Sequence, residues 1–195
     1  MTLNEFKKQA IDDNIPIMED DSIEYISRRI KLFELNDVLE IGSAVGYSSI
    51  ALAMGNDKVK ITTIERDSER FLKATKNIKA FNMNERISLL FNDALEVNIK
   101  EKYNLIIIDA AKGKNADFFN KFKYNLLPNG FIIVDNIKFH GLVGKSETIE
   151  SKDLRSLVKK IEDFLVFLDS KEVQDEFFVE ILDIGDGLAV CQKKD

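Results

Sequence analysis

One cysteine, one histidine, two prolines and no tryptophan are spread over 195 residues, and these shortages exclude whole classes of protein. A single cysteine, Cys191, cannot form an internal disulfide, and without a Cys/His cluster there is no zinc site, which fits a reducing cytosol. No apolar run approaches the roughly 18 residues that a membrane span requires. The start, MTLNEFKKQAIDDNIPIMED, is too charged for a signal peptide, so the expectation is a cytoplasmic protein with no membrane partner. Both prolines, Pro16 and Pro128, fall in expected loops, and no Pro-rich linker, repeat or low-complexity tract divides the chain. With 45% hydrophobic residues, positions 1–195 suit one domain with a continuous core. The net charge of −6 argues against indiscriminate nucleic-acid binding, although it does not exclude a local basic face.

Short β-branched runs alternate with amphipathic segments: DVLEI (37–41), KITTIE (60–65), ISLLF (87–91), NLIIID (104–109) and GFIIVD (130–135). Helical spacing of apolar residues fills the gaps, over Ser48 to Met54, Ser68 to Phe81 and Ala116 to Leu126. That alternation is the mark of βαβ units and predicts an α/β fold with parallel strands covered on both faces. After a helix from about Ser151 to Ser170, EFFVEILDIGDGLAVCQK reads as two strands joined by a tight Gly-Asp-Gly turn, an antiparallel hairpin closing the sheet. Two further helices are expected ahead of the first strand, Thr2 to Asp13 and Asp20 to Glu34, the second with Ile23, Ile26, Ile30 and Phe33 on one face. Positions 1–35 would then be a helical cover and 36–195 the sheet core.

The first strand ends in VLEIGSAVGYSSIALA, where an apolar run turns into a helix. A dinucleotide turn needs G-x-G-x-x-G to bring backbone N–H groups to a pyrophosphate. Here the pattern is Glu40-x-Gly42-x-x-x-Gly46, with Ala44 in place of the middle glycine. A carboxylate at Glu40 repels a pyrophosphate and attracts a cationic ligand. The second strand ends at Glu65, the position from which an acid takes a ribose diol. Two acids and a glycine turn suit an adenosyl group with a positive tail, which describes S-adenosylmethionine. Two later strands end in IIIDAAKGK and IIVDNIKFHG, placing Asp109, Lys112, Asp135 and Asn136 side by side. Two carboxylates and an amide oxygen form an all-oxygen set suited to Mg²⁺ or another hard divalent cation. Each motif alone also reads as an Asp capping a turn.

From NIPIME to the terminal GDGLAV the chain resembles the class I S-adenosylmethionine-dependent methyltransferases, specifically the metal-dependent O-methyltransferases of the catechol and caffeoyl-CoA type. The resemblance implies a Rossmann-like seven-stranded, mostly parallel sheet whose last strand is antiparallel, with helices on both faces. It implies that Glu40, Gly42 and Gly46 line the methionine end of the cofactor, that Tyr47 and Ser48 sit beside it, and that Glu65 takes the ribose. Asp93 and Ala94 in FNDALE would face the adenine, and Met18 would lie over the cofactor. Asp109, Asp135 and Asn136 would bind the metal, with Lys112 as general base, and the chain would be a homodimer.

Catechol enzymes carry bulky residues, including a Trp, between the metal Asp and the Lys, whereas this chain has Ala110 and Ala111. DAAKG and DNIKFHGLV are closer to the bacterial tRNA 5-hydroxyuridine methyltransferases, which make 5-methoxyuridine at the wobble position. The expected acceptor is therefore tRNA, with a small catechol-like or caffeoyl-CoA-like vicinal diol as the alternative. From Ala110 to Lys145 six lysines (112, 114, 121, 123, 138 and 145) face two acids, a local balance of 6 − 2 = +4 that could gather phosphates. His140 stands where the tRNA enzymes would carry Lys or Arg. Cys191 reads as a small core residue.

Overall fold

A computed structural model describes residues 1–195. Two N-terminal helices, α1 (Leu3–Asp12) and α2 (Asp20–Phe33), precede the strands β1 (Asp37–Ile41), β2 (Lys60–Glu65), β3 (Ile87–Phe91), β4 (Tyr103–Ile108) and β5 (Leu126–Asp135). Helices α3 (Tyr47–Gly55), α4 (Ser68–Ala80) and α5 (Asn115–Phe122) fill the crossovers, and α6 (Lys152–Leu168), α7 (Lys171–Glu176), β6 (Phe177–Leu182) and β7 (Leu188–Lys193) complete the chain. Helix α1 starts at a capping box, with Thr2 and Glu5 each satisfying the other's backbone N–H. Asp67, Ser151 and Ser170 cap α4, α6 and α7 by a single bond each, the side chain accepting a first-turn backbone N–H.

The seven strands run in the order β3-β2-β1-β4-β5-β7-β6. All are parallel except β7, which pairs antiparallel with β5 on one side and β6 on the other. Strand alternation splits the apolar residues into two cores. Val38, Leu105, Ile107 and Ile133 pack with Phe6, Ile26, Ile30 and Ile50 from the α1, α2 and α3 side. Leu39, Ile106, Ile108 and Val134 pack with Phe118, Phe119, Phe122 and Phe164 from α5 and α6. Because β1 lies between β2 and β4, the chain reverses its winding there and leaves a crevice beyond the strand ends, where open α/β sheets take ligands.

Four local expectations change. The helix expected to run to Leu126 stops at Phe122, because Lys123–Asn125 tightens into a 3-10 turn and Leu126 already pairs with Tyr103. Pro128 lies inside β5 rather than in a loop, at the register shift between Tyr103 and Leu105, where a missing N–H breaks no ladder bond. The hairpin is joined by five residues, 183–187, and not by a tight turn. On α2 the fully buried stripe is Ser22, Ile26 and Ile30, while Phe33 is 42% exposed and rests on Phe131 at 4.9 Å.

Candidate active site

The turn after β1 is built from strained backbone. Gly42, Ala44 and Gly46 have φ of +96°, +45° and +85°. A Cβ on Gly42 would stand 2.3 Å from the Asp109 carbonyl oxygen, so β1 and β4 can approach here only without a side chain. Glu65 holds the turn from β2: its carboxylate accepts the Ala44 N–H at 2.9 Å and the N–H groups of Arg66 and Asp67 at 2.9 and 2.8 Å.

Glu40 was expected at the ligand's cationic tail and instead lies behind the turn. It is fully buried and accepts the hydroxyls of Ser48 at 2.5 Å, Thr63 at 2.6 Å and Ser49. Burial pushes its carboxyl up, against those three hydroxyls. Its placement ties β1, β2 and the first turn of α3 together, and it does not line the cavity. Gly46 also lies off the cavity, at the N-cap of α3.

Beyond the strand ends is a cavity of about 890 Å³. Gly42, Tyr47, Ser48 and Glu65 line one end, with Met18 over them from the loop between α1 and α2. The Tyr47 hydroxyl donates to Asp20 at 3.3 Å, and burial, with that acid, pushes it up to about 12. Asp93 and Ala94 form the adjoining wall. The Leu95 N–H, helped by Arg66 at 3.3 Å, holds the Asp93 carboxyl below the usual range.

The other end carries Asp109, Lys112 and Asn136. Asp109 extends the β4 register, its N–H donating to Ile41 at 3.0 Å, so Asp109 and Asp135 leave neighbouring strands at one level, since Ile108 pairs with Val134. Lys112 Nζ donates to Asp109 Oδ1 at 2.5 Å and to the Asp135 carbonyl at 3.4 Å. Asp135 is buried; its Oδ1 accepts the Ser22 hydroxyl at 3.2 Å and its Oδ2 has no partner. Burial and then the Asp109 charge raise its carboxyl to about 7. Asn136 has φ +59°, a left-handed turn that redirects the chain directly after the acid. No group of three or more His, Cys, Asp or Glu side chains gathers in the structure. An orphaned buried oxygen beside a second carboxylate and an amide nevertheless fits a hard divalent cation, whose ligands are oxygens.

Two contributors escaped the sequence reading. Ser22 interrupts the Ile26/Ile30 stripe of α2 with a hydroxyl, a signal that was legible in the spacing. Asp186, between Gly185 and Gly187, accepts the His140 N–H on both oxygens, at 2.7 and 2.9 Å, and fixes Phe139 and His140 at φ +45° and +55° beside the cavity. Four of the six lysines of the expected basic face have acidic partners. Lys112, Lys114, Lys123 and Lys138 pair with Asp109, Asp117, Glu176 and Asp183, and Lys121 donates to the Val97 carbonyl.

Residues 1–194 match the family of O-methyltransferases. The chain belongs to that family. Its activity class is methyl transfer to oxygen. A Staphylococcus aureus structure provisionally named a caffeoyl-CoA O-methyltransferase superposes with a TM-score of 0.92 at 30% identity, over 99% of this chain and 92% of that one. Caffeoyl-CoA O-methyltransferase 2 of Petunia hybrida is 26% identical over 92% of this chain and 77% of its own length. An O-methyltransferase of Bacillus cereus, solved with S-adenosylhomocysteine, shares the fold with a TM-score of 0.82 at 24% identity, over 98% and 90% of the two chains. None of the helices of this O-methyltransferase is long and apolar enough to cross a membrane.

Proposed function

We propose that this O-methyltransferase moves the methyl group of S-adenosylmethionine to one hydroxyl of an aromatic acceptor with two vicinal oxygens, of the caffeoyl-CoA or catechol type, with the help of a divalent cation. The observation that carries the reading is a single cavity joining the Gly42 turn to Asp109, Lys112 and Asn136. The named relatives and the product-bound Bacillus cereus structure support it.

The sulfonium supplies an electrophilic methyl group. A cation held by Asp109, Asp135 and Asn136 would lower the pKa of a vicinal hydroxyl and orient it. The remaining tasks fall to the chain itself. Gly42 lets the methionine end approach the backbone, Tyr47 and Ser48 bound it, and Glu65 has lone pairs left for ribose hydroxyls after its three N–H contacts. Lys112 Nζ, already in the cavity wall, receives the acceptor proton in its neutral amine form, having first released one of its own ammonium protons to solvent. Ala110 and Ala111 leave the acceptor end wide.

That width favours a second reading, in which the acceptor is 5-hydroxyuridine in tRNA, whose 5-hydroxyl neighbours the O4 carbonyl. Mass spectrometry after incubation with S-adenosylmethionine and Mg²⁺ separates the two. Chelator-sensitive methylation of caffeoyl-CoA or catechol is expected; methylation of 5-hydroxyuridine tRNA alone would install the second reading, and no methylation of either would overturn both. Sedimentation velocity tests the homodimer that accompanies this reading.

A further inference from the structure

The two carboxylates at the acceptor end are held in unequal ways. Asp109 is paired with a cation on its own loop, Lys112. Asp135 has a single side-chain partner, the hydroxyl of Ser22, which reaches it from the N-terminal cover across 113 positions of sequence. Ser22 is itself fully buried in the first turn of α2, and that helix begins without any side-chain cap, so the hydroxyl is not spent on helix initiation. Behind it, a Cβ added to Gly185 would lie 2.5 Å from Ser22 Oγ, so the loop between β6 and β7 closes tightly on the hydroxyl. Without that oxygen the Asp135 carboxylate has no side-chain donor left.

We propose that Ser22 is a positioning residue: it fixes the Asp135 carboxylate through Oδ1, leaves Oδ2 turned away from protein partners, and thereby couples the N-terminal cover to divalent-cation affinity. The inference rests on the metal reading above. A hydrogen bond to one oxygen of a carboxylate restricts its rotamer and sets which lone pairs remain for a cation. Loss of such an outer partner typically lowers metal affinity about 10- to 100-fold. The cover would then act on the acceptor end without touching the acceptor, since seating α2 against the sheet is what brings the hydroxyl to the acid.

The test is Mn²⁺ titration of the full chain, with free Mn²⁺ read by electron paramagnetic resonance, on the parent protein, Ser22→Ala and Ser22→Cys. S-adenosylmethionine affinity and melting temperature are measured in parallel. The expected result is a 10- to 100-fold weaker Mn²⁺ affinity for Ser22→Ala, partial recovery with the weaker S–H donor of Ser22→Cys, and cofactor affinity within about twofold of the parent in both. Mn²⁺ affinity unchanged in Ser22→Ala while the parent binds Mn²⁺ overturns the positioning role alone. A lower melting temperature with equal Mn²⁺ affinity does the same, because it assigns Ser22 to packing. A parent that binds no Mn²⁺ overturns the metal reading and this inference with it.

Discussion

At the scale of single residues, the site works through differences between chemically similar groups. Glu40, Glu65, Asp109 and Asp135 all stand at strand ends, yet one is sealed under three hydroxyls, one braces a turn, one pairs with a lysine and one is buried with a free oxygen. Replacing Asp135 by Ala should lower turnover about a thousandfold or more, the equivalent of several kcal/mol of lost charge stabilisation, and leave cofactor affinity nearly unchanged; calorimetry beside a radiolabel assay checks both. Lys112→Met should cost about 10²- to 10⁴-fold in kcat, the usual weight of a general base. Asp135 also predicts a pH dependence of stability in metal-free protein. Its carboxyl is raised to about 7 in the fold, so the folded state holds more protons than the unfolded chain from about pH 4 to 7, and stability falls as pH rises through that window. Asp135→Asn should therefore flatten the profile and stabilise the metal-free protein above pH 7 by roughly 1–4 kcal/mol, read from urea melts at pH 5 and 8.

At the scale of elements, the strand-to-helix turn and α2 carry the most consequence. Gly42 meets the Asp109 carbonyl, whereas the space around Gly46 would accept a methyl, with Ala74 Cβ at 3.6 Å. Gly46→Ala should thus cost only the left-handed backbone, about 1–2 kcal/mol, and keep cofactor binding. Gly42→Ala adds a collision with backbone and should abolish cofactor binding even where the protein folds; equilibrium dialysis beside thermal melts distinguishes the two. Helix α2 is held by Ile26 and Ile30, both buried against the sheet. Ile26→Ala should destabilise by about 2–5 kcal/mol, measured by denaturant unfolding.

At the scale of the molecule, two cores on opposite faces leave the ligand crevice at one rim of a rigid sheet. The cofactor end is assembled from β1, β2 and the segment after β3, together with Met18 from the loop before α2, so binding reports on the whole domain. Saturating S-adenosylmethionine at 100 times its Kd should add about 2.7 kcal/mol of stability. For a chain of this size that corresponds to a rise in melting temperature of roughly 5–10 °C, and the same addition to Gly42→Ala should leave it unmoved. The surface charge argues in the same direction as the acceptor reading. Of the six lysines between Ala110 and Lys145, Lys112 and Lys114 pair with acids three positions away and Lys123 and Lys138 with acids from other segments, which offsets part of the local excess.

Much of this was legible in the sequence because it is set by local chemistry. Period-two and near-continuous apolar runs mark strands, amphipathic spacing marks helices, and a glycine turn after β1 marks a ligand crevice; β1, β2 and β3 match their sequence ranges residue for residue. The acids and the lysine of the site were visible as motifs that end strands. What a motif cannot encode is which way a side chain turns after the chain has folded. Glu40 reads as a ligand group in sequence and is withdrawn by Ser49 and Thr63, which approach from two other elements. Six lysines read as a basic face, and only the fold brings Glu176 to Lys123 and Asp183 to Lys138. The sequence by itself determined the strands, the crevice and the chemical types gathered at its rim, because those follow from periodicity and from where strands end. Only the tertiary structure decided that Asp135 answers to Ser22 on the N-terminal cover, because a hydrogen bond across 113 positions depends on the seating of a helix and not on any local pattern.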